Sequence, residues 1–430
     1  MYTSFTTSGT RLYVDYTYTN TMPMSSAEIL KIRESQPRSI NLNEQLDIHE
    51  LRKSICVATG HAECVLTKVA EGGFHRIYAA KLTGGHESDL EVIARVAFDI
   101  PDFRNTRKME SEVATINWLK QNTKIPVPNI MFCDMRERGP ASSEKTAGKD
   151  VGAPYMIMDR IPGRTLDRMW PYMSESHREQ TVKSLARYTA ELLQTQFPTI
   201  GSLYPGVDHN AALSLGPMII PTFNPWCFRP DATLESGPWA TERAYLLGCI
   251  NRELKWVRDH TADLEARWLP RADVVDRYTA LLDKLSRRVE TMNGLDSGAP
   301  QSFVLRHPDF SLSNIMVRED DPSIITAVLD WECASTAPIW AVAQVPEFLL
   351  DRGDEREQDS AKRASKAHLR DVFIRCVKDL VDINIDVGSA RSQCLIALEK
   401  AAQTITTMRN VEEMEGIVST ALTGLAAAGF

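Results

Sequence analysis

The sequence predicts an α+β protein of two lobes: a small N-terminal antiparallel sheet with one main helix, then a larger, mostly helical C-terminal lobe. Three observations predict it. Residues 65–98 carry the alternating apolar pattern of strands, punctuated by glycine pairs. Beyond Leu166 the regular segments have the three-to-four apolar spacing of helices. A chain of 430 residues is long enough for two or three domains or one bilobal unit.

Residues 1–26 hold eleven Ser and Thr but only two charges, Arg11 and Asp15, and read as a poorly ordered arm with a short strand at RLYVDY. Residues 27–62 look helical. VLTKVAEGGFHRIYAAKLTGGHESDLEVIARVAF reads as three strands, with Gly72-Gly73 at the first turn and Gly84-Gly85 opening the second connection. A helix over 107–122 presents Met109, Val113, Ile116 and Leu119 as its apolar stripe, and Pro126 and Pro128 stop it. Residues 136–152 are polar and aperiodic, a surface loop. PYMIMDRIPG (154–163) is a short buried strand leading into a connector. The remainder is mostly helical, apart from two short strands around 303–330. The charge-dense stretch from Asp351 is a solvated helix face, and the apolar C-terminus from Gly416 is a buried helix, too short to span a bilayer. The predicted division is 1–62 as arm and helices, 63–160 as N-terminal lobe and 161–430 as C-terminal lobe, with a cleft between the lobes.

Composition narrows the function. Hydrophobic residues at 43% and charged residues at 25% exclude a disordered chain. A net charge of −8 supplies no global field toward nucleic acid or an anionic membrane. Eight scattered cysteines form no Cys-x-x-Cys pair and read as reduced thiols of a cytoplasmic compartment. A mitochondrial transit peptide in residues 1–26 is the alternative.

The chemistry concentrates in FVLRHPDFSLSNIMV (303–317) and SIITAVLDWE (323–332). Phosphoryl transfer needs a carboxylate to orient the attacking hydroxyl and accept its proton. It also needs oxygen ligands that hold Mg²⁺ against the phosphates. Asp309 ends an apolar run, Asn314 comes five residues later, and the next strand delivers Asp330. That is the H-x-D-x-x-x-x-N spacing of a phosphotransfer loop, followed by a metal-type Asp. Upstream, EGGFHRIY offers two glycines that permit close backbone approach to phosphate. Arg95 sits among apolar neighbours in the third strand, where a cation reaches the α- and β-phosphates. At 100° per residue Glu112 lies beside the helix stripe, the better placed of Glu110 and Glu112 to orient Arg95.

These segments, with ESEVATINWLKQNTKIPVPNI and PYMIMDRIPGRTL, resemble the aminoglycoside phosphotransferase and choline kinase-like family in its large fungal branch. FTTSGTRLY and GPW further resemble the altered-inheritance-of-mitochondria group. The resemblance covers roughly residues 60–340. It implies a protein-kinase-like fold and transfer of phosphate from ATP, with Mg²⁺, to a small-molecule hydroxyl. By resemblance Asp309 is the catalytic base, and Asn314 and Asp330 are the metal ligands. Gly72, Gly73 and Phe74 belong to the nucleotide loop. Arg95 and Glu112 serve the phosphates, and Asp159 and Ile161 provide connector backbone for adenine, with Met158 behind it. His307 resembles the structural histidine under the catalytic loop. Three departures stand out: Arg95 in place of Lys, His75 where Asn or Ser is usual, and Asp-Trp-Glu in place of Asp-Phe-Gly. None removes a required charge, which favours an active enzyme over a nucleotide-binding scaffold. The expected partner is a small-molecule acceptor, with no nucleic acid and no membrane span.

Overall fold

The computed structural model describes residues 46–71, 75–85, 89–97, 105–135, 151–206, 213–220, 235–259, 261, 273–295, 301–350, 360–382, 387–404 and 411–427. The expected arm, most of the expected 27–62 helix, Gly72, Gly73, Phe74 and residues 136–150 lie outside them. Contacts divide the chain into two units, Met1–Met109 with Pro128–Arg160 and Glu110–Val127 with Ile161–Phe430.

The first unit opens on helix α1 (Ile48–Thr59). The Asp47 carboxylate caps it by accepting the His49 and Glu50 N–H groups at 2.9 and 3.0 Å, and Gly60 ends it at φ +71°, a left-handed conformation glycine enters without strain. Five strands come next: β1 (Glu63–Glu71), β2 (His75–Thr83), β3 (Leu90–Ala97), β4 (Ile130–Asp134) and β5 (Tyr155–Asp159). They pair antiparallel in the order β1-β2-β3-β5-β4, and a bulge at Lys68/Ala70 interrupts β1, which is an edge strand among the described residues. Three of the five strands were expected in one run and β5 from its apolar stretch; β4 is the addition. One face of the sheet is apolar. Tyr78, Ala80, Leu82, Val92, Ala94, Val96, Tyr155 and Ile157 form a buried cluster there with Leu51 and Ile55 of α1. Val151 joins it at 2% exposure, so the stretch read as a surface loop ends in the core. By register Ile77, Ile93, Arg95, Met156 and Met158 share the opposite face.

Helix α2 (Asn105–Asn122) succeeds β3 in the chain, and its apolar stripe is as expected: Met109, Val113, Ile116 and Leu119 are at most 8% exposed. From Glu110 onward it groups with the second unit. The reason is local: Trp118 packs on Phe197 with ring centroids 5.2 Å apart, and the Lys124 N–H donates to Glu191 at 2.6 Å.

In the second unit β6 (Arg164–Thr165) and the short α3 (Leu166–Met169) lead to α4 (Glu175–Gln194), which Ser174 caps. Then come β7 (Gln196–Phe197), the β8–β9 hairpin (Ser202–Pro205, Leu213–Gly216), α5 (Glu242–Asp259) and α6 (Asp273–Thr291). The expected two strands near 303–330 are three: β10 (Phe303–Arg306), β11 (Ile315–Val317) and β12 (Ile325–Val328). A fourth, β13 (Ser335–Ala337), pairs with β10. The chain ends in α7 (Ile339–Val342), α8 (Ser360–Leu380), α9 (Ala390–Thr404) and α10 (Val411–Ala427). The unit's main core gathers α5, α6, α9 and α10 around Phe303. Helix α10 buries only one face, through Met414, Val418, Ala421 and Leu425. Among the described residues no helix is long and apolar enough to cross a membrane.

Candidate active site

Two small sheets in the second unit bring the predicted residues together. β10 lies between β13 and β7, and β11 lies between β12 and β6. β10 delivers His307 and Asp309. Asn314 closes a single 3-10 turn (Leu312–Asn314) that enters β11, and Asp330 stands two residues beyond β12. Because Ile315 pairs with Val328, Asn314 stands opposite Leu329, and the Leu329 N–H donates to the Asn314 carbonyl at 2.7 Å. The antiparallel register thus sets Asn314 and Asp330 at adjoining strand ends.

Asp309 and Asn314 touch. Asn314 Nδ2 donates to the Asp309 backbone oxygen at 2.9 Å and to its carboxylate Oδ2 at 3.1 Å. With the amide nitrogen so engaged, the amide oxygen turns away from Asp309, as a cation ligand must. Asp330 is exposed and sits at φ +64°, a conformation uncommon outside glycine, which Asp tolerates better than most residues. Cys333 adopts the same φ three residues on, so the backbone turns sharply twice around buried Trp331 and Glu332.

His307 ties these pieces. Its Nδ1 accepts the Asp309 N–H at 3.0 Å and its Nε2 meets the Leu329 carbonyl at 2.9 Å. The first contact requires a bare Nδ1 and so puts the single ring proton on Nε2, donating to Leu329. Burial pushes its pKa down to about 4, against smaller opposing effects of the Leu329 bond and Asp330. The ring stacks edge-on against Trp331, centroids 4.5 Å apart, and Trp331 Nε1 donates to the Val328 carbonyl at 3.1 Å. A neutral imidazole therefore links the residue after β10 to the residue before Asp330. Trp331 was visible in the sequence only as a departure in the Asp-Trp-Glu motif, and nothing local indicated its packing on a histidine 24 positions earlier.

The other predicted residues divide between the two units. In the first unit Arg95 lies on β3, a central strand and not an edge, and its Nη2 meets His75 Nδ1 at 3.3 Å. His75, noted in the sequence only as a departure, is 5% exposed. Met158 shares the Arg95 face of the sheet and is 8% exposed. Asp159 exchanges two bonds with Asn129: its N–H donates to the Asn129 carbonyl at 3.0 Å, and its Oδ2 accepts the Asn129 N–H at 3.2 Å. Its carboxylate is thus engaged in holding the end of β5. Glu112 and Ile161 belong to the second unit; Glu112 is 1% exposed, and Glu110 is half-buried. Gly72, Gly73 and Phe74 lie outside the described residues.

The chain resembles known proteins over this same span. The sequence profile of the phosphotransferase enzyme family, APH, matches residues 67–341. A subtelomeric hrmA-associated cluster protein of Aspergillus fumigatus is 26% identical over 330 residues, 66% of this chain and 60% of the relative. Clavilactone A biosynthesis cluster protein Y of Ampulloclitocybe clavipes is 29% identical over 268 residues, 61% of this chain and 59% of the relative. Altered inheritance of mitochondria protein 9 of Kluyveromyces lactis is 22% identical, over 67% of this chain and 50% of the relative. The chain therefore spans about 60% of the length of the first two relatives. Among solved structures, the gentamicin complex of APH(2'')-IIa aligns with a TM-score of 0.48 at 11% identity, covering 89% of this chain and 96% of that one. The profile covers well over half of the chain, from β1 through both strands that flank the Asp309 loop to Asp330 and β13, and on this ground the chain belongs to the phosphotransferase enzyme family.

Proposed function

We propose that this chain transfers the γ-phosphate of ATP, with Mg²⁺, to a hydroxyl of a small molecule. The observation that carries the reading is the Asp309–Asn314–Asp330 arrangement. Asp309 and Asn314 are hydrogen-bonded, strand register sets Asp330 at the strand end adjoining Asn314, and one neutral histidine holds both segments. Hard oxygen donors of this kind, few in number and partly exposed, suit Mg²⁺, which keeps several waters and shares its shell with phosphates. When bound, Mg-ATP supplies the phosphoryl group and a cation that offsets its charge.

The chain's own residues do the rest. Asp309 accepts the hydroxyl proton as the oxygen attacks, and its Asn314 bond fixes its orientation. Asn314 and Asp330 would hold the cation. His307 keeps both loop segments in place and stays uncharged. By the family resemblance Arg95 would bind the α- and β-phosphates, and Glu112, Gly72, Gly73 and Phe74 are assigned to the same nucleotide. By the same resemblance the backbone of Asp159 and Ile161 would receive adenine, with Met158 assigned behind it.

The segment after Asp330 supports a small acceptor. A protein kinase places a long peptide platform there. Here residues 331–338 are buried, and β13 returns to pair with β10. About 148 residues separate Asp159 from His307, ample material to wall a pocket over a metabolite or drug. The aminoglycosides bound by solved relatives are candidate acceptors. The scattered cysteines, with no Cys-x-x-Cys pair in the sequence, support the cytoplasm, whereas the protein 9 relatives, whose names place them in mitochondria, support the alternative. Cell fractionation distinguishes the two.

The test is incubation with Mg-ATP and, in parallel, aminoglycosides and a fractionated metabolite extract, with Asp309→Asn as control. A phosphorylated small molecule formed by the wild type and not by the variant supports the reading. Tight Mg-ATP binding with no phosphorylated product and no ATP hydrolysis would make the chain a nucleotide-binding scaffold.

A further inference from the structure

Arg306 closes β10 and is the last residue before His307. The pairing of β10 with β7 covers Phe303 and Val304, and its pairing with β13 stops at Arg306. Beyond that point side chains must hold the loop. The Arg306 Nη1 donates to both oxygens of Glu399, at 2.9 and 3.0 Å. Glu399 comes from α9, 93 residues later, outside the stretch that matches the family profile.

Glu399 is 5% exposed, and a carboxylate so deep is tolerable only when it is paired and hydrogen-bonded. It is both. The hydroxyl of Tyr245, from α5, donates a short bond to the same carboxylate, and Gln403 Nε2, one turn further along α9, donates to the Tyr245 oxygen at 2.6 Å. Tyr245 is completely buried, and desolvation, ahead of the nearby Glu399 charge, raises its pKa far enough to keep it a donor. Four side chains from three elements converge on the end of one strand.

The two ends of this network are not equivalent. Helix α9 is already fixed by apolar burial: Leu395, Leu398, Ala401 and Ala402 are 2% exposed or less. It does not need the ion pair to dock. The end of β10 does need it, because there the ladder has run out and three residues later Asp309 must present its carboxylate. We propose that Glu399 is a positioning residue for phosphoryl transfer: through Arg306 it anchors the strand end from which His307 and Asp309 are delivered. The proposal rests on the phosphotransferase reading above. Misplacement of a catalytic group by about 1 Å can cost roughly 10²-fold in rate, so the effect should fall on turnover and spare nucleotide binding.

The experiment compares wild type with Glu399→Gln, which keeps the shape and removes the charge, and with Glu399→Asp as the conservative variant. Three quantities are read: turnover of Mg-ATP with water or an identified acceptor, ATP affinity by calorimetry, and amide hydrogen exchange across 306–310 and across α9. Glu399→Gln should lower kcat by about 10- to 100-fold with ATP affinity within about twofold. Exchange at the Asp309 amide should speed up about tenfold while α9 keeps its protection, and Glu399→Asp should recover part of both losses. Wild-type turnover and exchange in Glu399→Gln would overturn the proposal. So would a parallel loss of turnover, ATP affinity and α9 protection, which marks a merely structural role. If Glu399→Gln does not fold, Arg306→Lys, which keeps the charge and loses the planar fork, takes the same three readings. Should the wild type turn over no Mg-ATP at all, the phosphotransferase reading fails on its own, and exchange at Asp309 still decides whether Glu399 holds the loop.

Discussion

Acidification should loosen the second unit through one side chain, His307. Burial holds its pKa at about 4, against the ordinary 6.5. Between those values the unfolded chain binds a proton that the folded chain refuses, so stability falls as pH falls. The loss begins below about pH 6.5 and is complete once the pH drops under about 4. The gap between these two values corresponds to about 3 kcal/mol in total and about 1 kcal/mol by pH 5.5. The geometry supplies the cause: a second ring proton would displace the Asp309 N–H from Nδ1 and leave a charge buried beside Trp331. Carboxylates that titrate in the same range add slopes of their own, so the comparison is with His307→Asn, which cannot take the proton. Urea midpoints of both proteins are measured from pH 7.5 to 4 without metal, and NMR follows the His307 ring. Wild type should lose about 3 kcal/mol more than the variant over that range. Parallel pH curves for the two proteins, or a ring pKa at or above 6, would refute the reasoning.

Asp309→Asn should lower kcat by about 10²–10⁴-fold with ATP affinity nearly unchanged, as expected for loss of a general base; wild-type kcat on an identified acceptor would remove Asp309 from that role. Asp330→Ala should abolish the Mg²⁺-dependent tightening of ATP binding and Asn314→Ala should weaken it less, since carboxylates bind Mg²⁺ better than amides. Calorimetry with and without Mg²⁺ reads both, and an Asp330 variant that keeps its Mg²⁺ dependence contradicts the assignment. Arg95→Ala should weaken ATP binding, with Arg95→Lys intermediate because the planar fork is lost; equal ATP affinity in all three proteins would count against Arg95 as a phosphate ligand.

Local signals in the sequence carried much of this. Strands β1 to β3 were legible because alternation and glycine pairs lie within one continuous run, and the burial of Glu112 was legible because a helix has a fixed phase. β4 was not: its five residues pair with β5, whose first residue stands 21 positions after Asp134, and so short a segment has no period to read. The same holds for β7 and β13, of two and three residues, which exist because β10 offers them a ladder. At the candidate site Asp309, Asn314 and Asp330 were found by spacing. The contacts that orient them were not, because Trp331 and Glu399 act on His307 and Arg306 across 24 and 93 positions, where only the folded chain makes them neighbours.

The edge strand β1 has a consequence for handling the protein. Among the described residues no strand pairs with one side of its nine residues, and Val65 and Val69 stand 59% and 52% exposed along it. Such an edge is a template for strand addition by another copy, and natural sheets guard it with charge and irregularity. Here the guards are Lys68, paired with Glu71, and the bulge beside it. Without that charge, Val65 to Ala70 would be an uninterrupted β-forming run with no proline, a sequence prone to cross-β association. Resistance to aggregation at high concentration therefore depends on a surface lysine with no part in the proposed chemistry.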